Sequence, residues 1–517
     1  MPATIPAIDP ATGSVFAETP VTPPEAVPLA LQRARLAQPA WAARPYRERW
    51  AVLARFRDLV YRARGDLAEL VTRENGKPLA ESLLADVAVT LDLARYYLAR
   101  GERMLRPRRI RHGNIAFLGK HGWVHWEPLG VIGVIAPWNY PLFLPAGTIF
   151  PALLAGNAVL FKPSEFTVRT GVRLVELLHE AGVPPECCQL LVGGGDVGAA
   201  LVEAGPDKIF FTGSAATGRL VARRAGERLI PVSLELGGSD PCIVLADADL
   251  DHATSGVIWA RFANGGQTCV AAKRAIVQRP VFEPFVNLLA AKVRALELGP
   301  GLRAGADVGP LIRESQLRVL EEQLEDAVRQ GARVVTGGRR RPDLGPTFFE
   351  PTVVVDVPRT SRLWREEVFG PVLPVVAVDD VEEAIRVAND SRYALAGSLW
   401  TRDRRRGLAL ARRIEAGAVL VNDAASHVGA VEAPHGGMKE SGPGRIHAEF
   451  GLLETCRARF VGGDRLDWMR KPWWFGYHPE SYAHRDAFVR LAFGPRLRER
   501  LRALPGALRL LWNPRRI

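Results

Sequence analysis

From about Pro24 to Met104, Leu, Val and Ala recur at helical spacing with Arg or Glu between them, a pattern that predicts a run of amphipathic helices. Next comes IAFLGKHGWVHWEPLG, where apolar and polar residues alternate around Gly119-Lys120 and His121-Gly122 and predict an extended hairpin between Ile115 and Trp126. From Val131 the pattern changes to short β-rich runs, VIGVI, AVLFK, CQLLVG, KIFFTG and PCIVLA, separated by helical stretches. Continuous apolar strands alternating with helices are the mark of a mostly parallel sheet covered on both faces. A second set, AIVQ, ARVVTGG, TVVVDV, PVLPVVAV and AVLVND, predicts a second α/β domain from about Gly237 to Asp423. At the far end Leu497, Leu501, Leu504, Leu508 and Leu511 fall at alternating four- and three-residue steps with Arg496, Arg498, Arg500 and Arg502 between them, and Pro505-Gly506 predicts a break in that helix.

Composition narrows the class rather than the function. At 517 residues the chain exceeds what a single core supports, so two or more domains are expected, and 47% hydrophobic with 24% charged residues is ordinary for a globular enzyme. Five scattered cysteines do not make a disulfide framework, which fits a reducing compartment. His121 and His125 have no third ligand nearby, so no metal site is expected. The first twenty residues lack a basic and then apolar leader, and the expectation is a cytoplasmic protein. Pro128 to Phe161 contains no charged residue, but four prolines and Trp138-Asn139 interrupt it, so it reads as interior strand, loop and helix rather than a membrane span. Of the net charge of +12, +7 falls after Phe460 and only +5 on the rest, which leaves no basic face of the kind nucleic-acid binding needs.

The candidate chemistry starts at FANGGQTCVAAKR, which sets Cys269 among small and polar residues instead of packing neighbours. A cysteine is ordinarily buried as a small hydrophobe, whereas Gly265 and Gly266 give the backbone room to bring a thiol to a cleft. FFTGSAATGRLV places Gly213, Ser214 and Gly218 at a strand-to-helix junction, where amides at a helix start can meet a phosphate, and VGGGDVGAALV offers a second such turn at Gly193 to Gly198. Glycine at either turn can equally be plain geometry. LELGGSDP adds a carboxylate, Glu235, thirty-four residues before the thiol.

Taken together, PWNYP, LELGG, FANGGQTC, EEVFGP and PHGGMKESGPGR stand in an order and at spacings that resemble the NAD(P)-dependent aldehyde dehydrogenase family across roughly residues 5 to 460. The resemblance implies two Rossmann-like α/β domains with a β-hairpin oligomerisation arm: 1–108 and 128–236 binding NAD, 237–444 catalytic, and 109–127 with 445–462 forming the arm. It implies Cys269 as nucleophile, Glu235 as the base for hydrolysis of a thioester, and Asn139 with the Cys269 N–H as oxyanion donors. Cofactor contacts implied in the same way are Ile135, Trp138, Lys162, Glu165, Gly195, Gly213, Ser214, Gly218, Leu236, Glu367 and Phe369. A carboxylate at Glu165 favours NAD over NADP, because it accepts from ribose hydroxyls and repels a 2′-phosphate. The substrate pocket is expected at Tyr140, Phe143, Gly147, Thr268 and Val270.

Departures from the family pattern bear on the substrate. His435 stands in PHGG where Phe is common, and Gly147 stands where an aromatic is frequent and should widen the tunnel. Residues 424 to 431, AASHVGAV, offer no Arg or Lys to a substrate carboxylate, which points away from succinate semialdehyde and toward an apolar aldehyde, medium- to long-chain or aromatic. A CoA-acylating enzyme, or a silent binding protein on the same scaffold, fits less well because Glu235, Cys269 and Asn139 are all present. A homodimer or homotetramer is expected. The segment 463–517 is either a basic helix for an anionic membrane surface or an extension packed on protein, and the proline favours the latter.

Overall fold

The computed structural model describes residues 3–468, 471, 473–477 and 479–512. They form two units, one made of the chain up to Met104 with Pro128–Cys456, the other of Leu105–Glu127 with the chain from Arg457 onward.

The larger unit opens with an antiparallel hairpin, Thr4–Ile8 on Val15–Pro20. Helices Val27–Ala43, Tyr46–Arg62, Arg64–Asn75 and Val89–Leu105 follow, as the spacing predicted, each burying one apolar stripe such as Val52, Leu53, Phe56 and Val60. A π-helical stretch, Ser82–Ala88, brings Asp86 inward to a fully buried ion pair with Lys77 at 2.8 Å.

The first sheet contains β1 (Val131–Ile135), β2 (Ala158–Lys162), β3 (Cys188–Leu190), β4 (Lys208–Thr212) and β5 (Val232–Glu235), in the order β3-β2-β1-β4-β5. All its pairings are parallel. VIGVI is central and buried at every position, which is why it is apolar throughout instead of alternating. The chain builds outward from β1 on one side, then returns to build on the other, so the loops leaving β1 and β4 diverge and open a crevice at their carboxyl ends. Helix α1 (Phe143–Ala155) is buried along its whole length. It accounts for the uncharged run after Pro128, and no helix among the described residues is long and apolar enough to cross a membrane.

The second sheet joins β6 (Asp240–Val244), β7 (Ala272–Gln278), β8 (Arg333–Thr336), β9 (Thr352–Val355), β10 (Val372–Val378), β11 (Ala396–Trp400) and β12 (Ala418–Val421) in the order β8-β9-β10-β7-β6-β11-β12. Only β8 runs antiparallel to its neighbour. Alternation divides its side chains between two cores: Ile243, Ile276, Val354 and Leu399 on one face, Cys242, Val244, Ala275, Val277 and Val375 on the other. PCIVLA therefore belongs to this sheet and not to the first set of strands, while AGSLW supplies a strand the sequence reading passed over.

The smaller unit corrects two expectations. Ile115–Phe117 is a 3₁₀ turn, and Lys120–Pro128 runs as one strand whose antiparallel partner is Arg108–Ile110, so the hairpin does not turn at Gly119-Gly122. The third strand of that sheet, Cys456–Asp464, lies on the other side of Lys120–Pro128; it starts beyond Arg445, and residues 445–455 belong to the larger unit. Nor does Pro505-Gly506 divide the last helix, which runs from Leu497 to Trp512 and packs on Pro479–Phe493. Close packing overrides the proline: a Cβ on Gly506 would lie 2.7 Å from Ala487 Cβ, and Ala503 and Ala507 are buried. Residues 469, 470, 472, 478 and 513–517 of the extension, and the Leu511 side chain, lie outside the described residues.

Candidate active site

Cys269 is delivered by a left-handed turn. After the helix Leu250–Phe262, Asn264, Gly265 and Gly266 take φ of 54°, 60° and 74°, a region open to glycine and tolerated by asparagine. A side chain on Gly266 would overlap the Gly370 carbonyl. Asn264 donates its N–H to Glu81 Oε2 at 2.7 Å and its Nδ2 to the Asn139 carbonyl at 2.9 Å. Gln267 braces the turn, with Nε2 donating to Asn264 O at 3.0 Å and Oε1 accepting from the Ile312 N–H at 3.0 Å.

Glu235 closes β5, and Gly237 and Gly238 follow because the chain there threads between two neighbours. A Cβ on Gly237 would overlap the Glu367 carboxylate, and one on Gly238 would lie 2.7 Å from the Cys269 carbonyl oxygen. Asn139 sits between β1 and α1 and is 4% exposed. Its Nδ2 donates to Gln267 O at 3.1 Å, which leaves one amide proton free, and its carbonyl accepts from Lys77 Nζ at 2.7 Å.

These three groups share one cavity of about 290 Å³ with Trp138, Gly213, Ser214, Leu236, Glu367 and Phe369. Trp138 and Phe369 meet edge to face with centroids 5.5 Å apart. Ser214 caps the helix Ala215–Gly226 by accepting from the Thr217 N–H, which turns that helix start toward the cavity. Glycine-bare backbone, a helix N-terminus, apolar walls and the Glu367 carboxylate are what a nicotinamide dinucleotide requires. Of the other expected cofactor contacts, Ile135 and Lys162 end β1 and β2 as a parallel pair, Glu165 lies 3.5 Å from Lys162 Nζ, Gly195 begins a helix, and Gly218 lies against Leu236. They occupy neighbouring strand ends, a loop and helix starts rather than the cavity wall. Tyr140, Phe143, Gly147, Thr268 and Val270 also lie off it. Tyr140 and Thr268 join through their hydroxyls at 2.8 Å, and Phe143 rests on His447 with centroids 5.3 Å apart. At Gly147 the His447 ring stands 3.7 Å from where a Cβ would be.

Burial governs the electrostatics. It pushes the Cys269 thiol up to about 12, opposed in part by Lys273, although some of the residue stays open to the cavity. It also raises the Glu235 carboxyl well above the usual range, against Arg445, and neither carboxyl oxygen has a hydrogen-bond partner. Two residues escaped the sequence reading. Lys273, fully buried, donates to Gly238 O at 2.7 Å, Cys269 O at 2.8 Å and Glu367 Oε1 at 2.5 Å, tying both sides of the cavity together. Its place four residues after the cysteine was the available signal. Arg313 borders the cavity with its guanidinium 4.5 Å from the centre of the Phe166 ring, a pairing no local motif announces.

A parallel sheet presenting a helix start and the Glu235 carboxyl to a cavity, with a thiol carried into the same space on the loop before a strand of the second sheet, defines a dinucleotide-dependent oxidoreductase with covalent chemistry within reach. The aldehyde dehydrogenase family model matches residues 2–461. A Mycolicibacterium smegmatis protein named putative succinate-semialdehyde dehydrogenase, NADP(+), is 41% identical over 88% of each chain. The 4,4′-diapolycopene aldehyde oxidase of a Methylomonas species is 36% identical over 95% of this chain and 92% of its own. The crystal structure of PnpE, a protein of Pseudomonas sp. WBC-3, in complex with nicotinamide adenine dinucleotide superposes with a TM-score of 0.86 at 32% identity, covering 89% of this chain and 94% of that one. The chain belongs to the aldehyde dehydrogenase family, enzymes that oxidise aldehydes with NAD(P).

Proposed function

We propose that the protein oxidises an apolar aldehyde to its carboxylic acid through a covalent adduct on Cys269. The observation that supports this is the convergence of Cys269, Glu235 and Asn139 on one cavity that also holds Trp138, Glu367 and Phe369. Cys269 Sγ adds to the carbonyl carbon, and the oxygen that gains charge is met by Asn139 Nδ2 and the Cys269 N–H. The bound dinucleotide supplies the hydride acceptor. Glu235 takes a proton from the water that hydrolyses the resulting thioester.

The finer readings rest on particular residues. NAD is favoured because the half-exposed Glu165 carboxylate repels a 2′-phosphate, whereas the Mycolicibacterium relative is named for NADP(+). An apolar substrate is favoured over succinate semialdehyde because residues 424–431 bring no cation, Arg445 is occupied by the Gly437 and Gly444 carbonyls, and Arg313, the cation that does border the cavity, stands over the Phe166 ring. An alignment over 95% of the chain necessarily runs past residue 461, so the diapolycopene enzyme resembles this chain into the segment beyond the family match. There Leu497, Leu501, Leu504 and Leu508 are exposed among arginines, which supports contact with an anionic lipid surface where an apolar aldehyde would dissolve. The exposed edge strand Cys456–Asp464 supports a homo-oligomer.

NADH formation with hexanal, benzaldehyde, decanal and succinate semialdehyde, with and without CoA, tests the reading. Turnover of decanal above succinate semialdehyde, independent of CoA and absent in Cys269→Ser, is expected. Undiminished turnover in Cys269→Ser overturns it. For the lipid contact, the full chain should pellet with phosphatidylglycerol vesicles at low salt and a chain ending at Gly462 should not; equal pelleting removes the idea.

A further inference from the structure

Behind Glu235 lie three buried histidines. His435 Nε2 is 3.6 Å from Glu235 Oε2, and the His435 ring centroid is 5.5 Å from that of His427 and 5.8 Å from that of His447. Both nitrogens of His427 and of His447, and Nδ1 of His435, are buried without a hydrogen-bond partner, as are both oxygens of Glu235. Leaving buried polar atoms unpaired costs stability, a cost that phenylalanine would avoid at all three positions. Backbone bonds between His435 and Ile446, at 2.9 and 2.8 Å, hold the second imidazole against the carboxyl group. His427 follows Ser426, whose hydroxyl donates to the exposed carboxylate of Asp423, so the row leads from a buried carboxyl group toward solvent. The other charged and titratable groups acting on the Glu235–His435 pair are Arg445, Glu454 and Cys269.

We infer that His435 is a positioning residue that works through Glu235, and that with His427 it carries away the proton of thioester hydrolysis. This rests on the function proposed above. In that step the water oxygen bonds to the thioester carbon, one water O–H bond breaks with its proton passing to Glu235 Oε2, and the C–S bond breaks with its electron pair left on Sγ. Glu235 regains its carboxylate by giving the proton to His435 Nε2. His435 releases the proton on Nδ1 toward His427 through a bridging water, because no protein atom accepts from Nδ1, and then to solvent beside Asp423; exchange with that water returns the remaining ring proton from Nε2 to Nδ1. No electrons move in this relay. Buried in apolar surroundings, the imidazoles stay neutral between turnovers and act as conduits rather than stores of charge.

His435→Phe keeps the ring volume and removes the nitrogens. With decanal and NAD it should give the wild-type first burst of NADH, followed by steady turnover slowed about tenfold or more. Hydrolysis of p-nitrophenyl acetate, which acylates a reactive thiol with no cofactor, should slow by the same factor with an unchanged burst of nitrophenol. In His435→Gly, added imidazole should restore hydrolysis and thiophene, a ring of like size with no proton to carry, should not. Wild-type rates in His435→Phe, or equal rescue by both rings, overturn the relay. If His435→Phe does not fold, His427→Phe decides instead: slower ester hydrolysis supports the relay and a wild-type rate overturns it. A wild-type chain that forms no NADH from any aldehyde sinks the parent reading, whereas a wild-type enzyme matched by His435→Phe sinks only the relay.

Discussion

Lys273 shows how much of the site depends on a residue without chemistry of its own. Its ammonium group is fully buried and fixes the Cys269 carbonyl, the Gly238 carbonyl and Glu367 at once. Lys273→Met keeps the length of the side chain but leaves the Glu367 carboxylate with the Gly238 N–H and no cation, and breaking a fully buried pair costs about 3–5 kcal/mol, an upper bound for this partly exposed one. The expected outcome is a marked fall in thermal midpoint and weaker dinucleotide binding, read by scanning fluorimetry and calorimetry; an unchanged affinity would show that Glu367 is held by other means. Cys269 gives a prediction in pH. With the thiol held up at about 12, the thiolate at pH 7 is on the order of one part in 10⁵ in the free enzyme. Ionisation increases with pH, so alkylation of Cys269 by iodoacetamide should accelerate close to tenfold per pH unit from pH 7 to 9, and a plateau near pH 8 would contradict the burial argument. Asn139, Glu235 and Cys269 were legible in the sequence because each sits in a short motif whose neighbours are fixed by close approach, as Gly237, Gly238 and Gly266 are. Arg313 was not, since its partner Phe166 is distant in sequence, and for Lys273 spacing gave only the local link to the Cys269 carbonyl and not the long-range one to Glu367.

Among the elements, fully buried strands were the most readable, because VIGVI, AVLFK and KIFFTG have to be apolar on both faces. AGSLW escaped notice although all five of its residues are buried, for a glycine and a serine interrupt its apolar run. The last helix failed for a different reason. Local sequence argues for a break at Pro505-Gly506, and packing against Pro479–Phe493 outweighs one lost backbone hydrogen bond. The same glycine then becomes a requirement. Gly506→Leu would force its side chain into Ala487, and the helical pair should loosen, seen as faster amide exchange across residues 479–512, while oxidation of hexanal stays at the wild-type rate. Unchanged exchange would mean that the two helices slide apart without cost.

For the whole molecule, buried titratable groups pull stability in opposite directions as pH changes. Burial holds His427 down at about 4 and His447 at about 3, against about 6.5 for an unfolded histidine. Below pH 6.5 the unfolded chain binds protons that the folded chain refuses, so these histidines remove stability as pH falls toward their folded values. Glu81 and Asp240 are raised to about 7 and act with the other sign, because their contribution is present in acid and is lost as pH rises from their unfolded range to 7. The wild-type profile is a sum of the two, and a variant separates them. In His427→Phe/His447→Phe the acid penalty, about 3 kcal/mol per histidine at pH 4, disappears while the carboxylate contribution stays. Urea midpoints at pH 7, 5.5 and 4 should therefore show the variant gaining on the wild type at each step toward acid. A gap that stays constant over those three values would mean that the imidazoles titrate in the folded protein much as they do in water, and that solvent reaches the space behind Glu235.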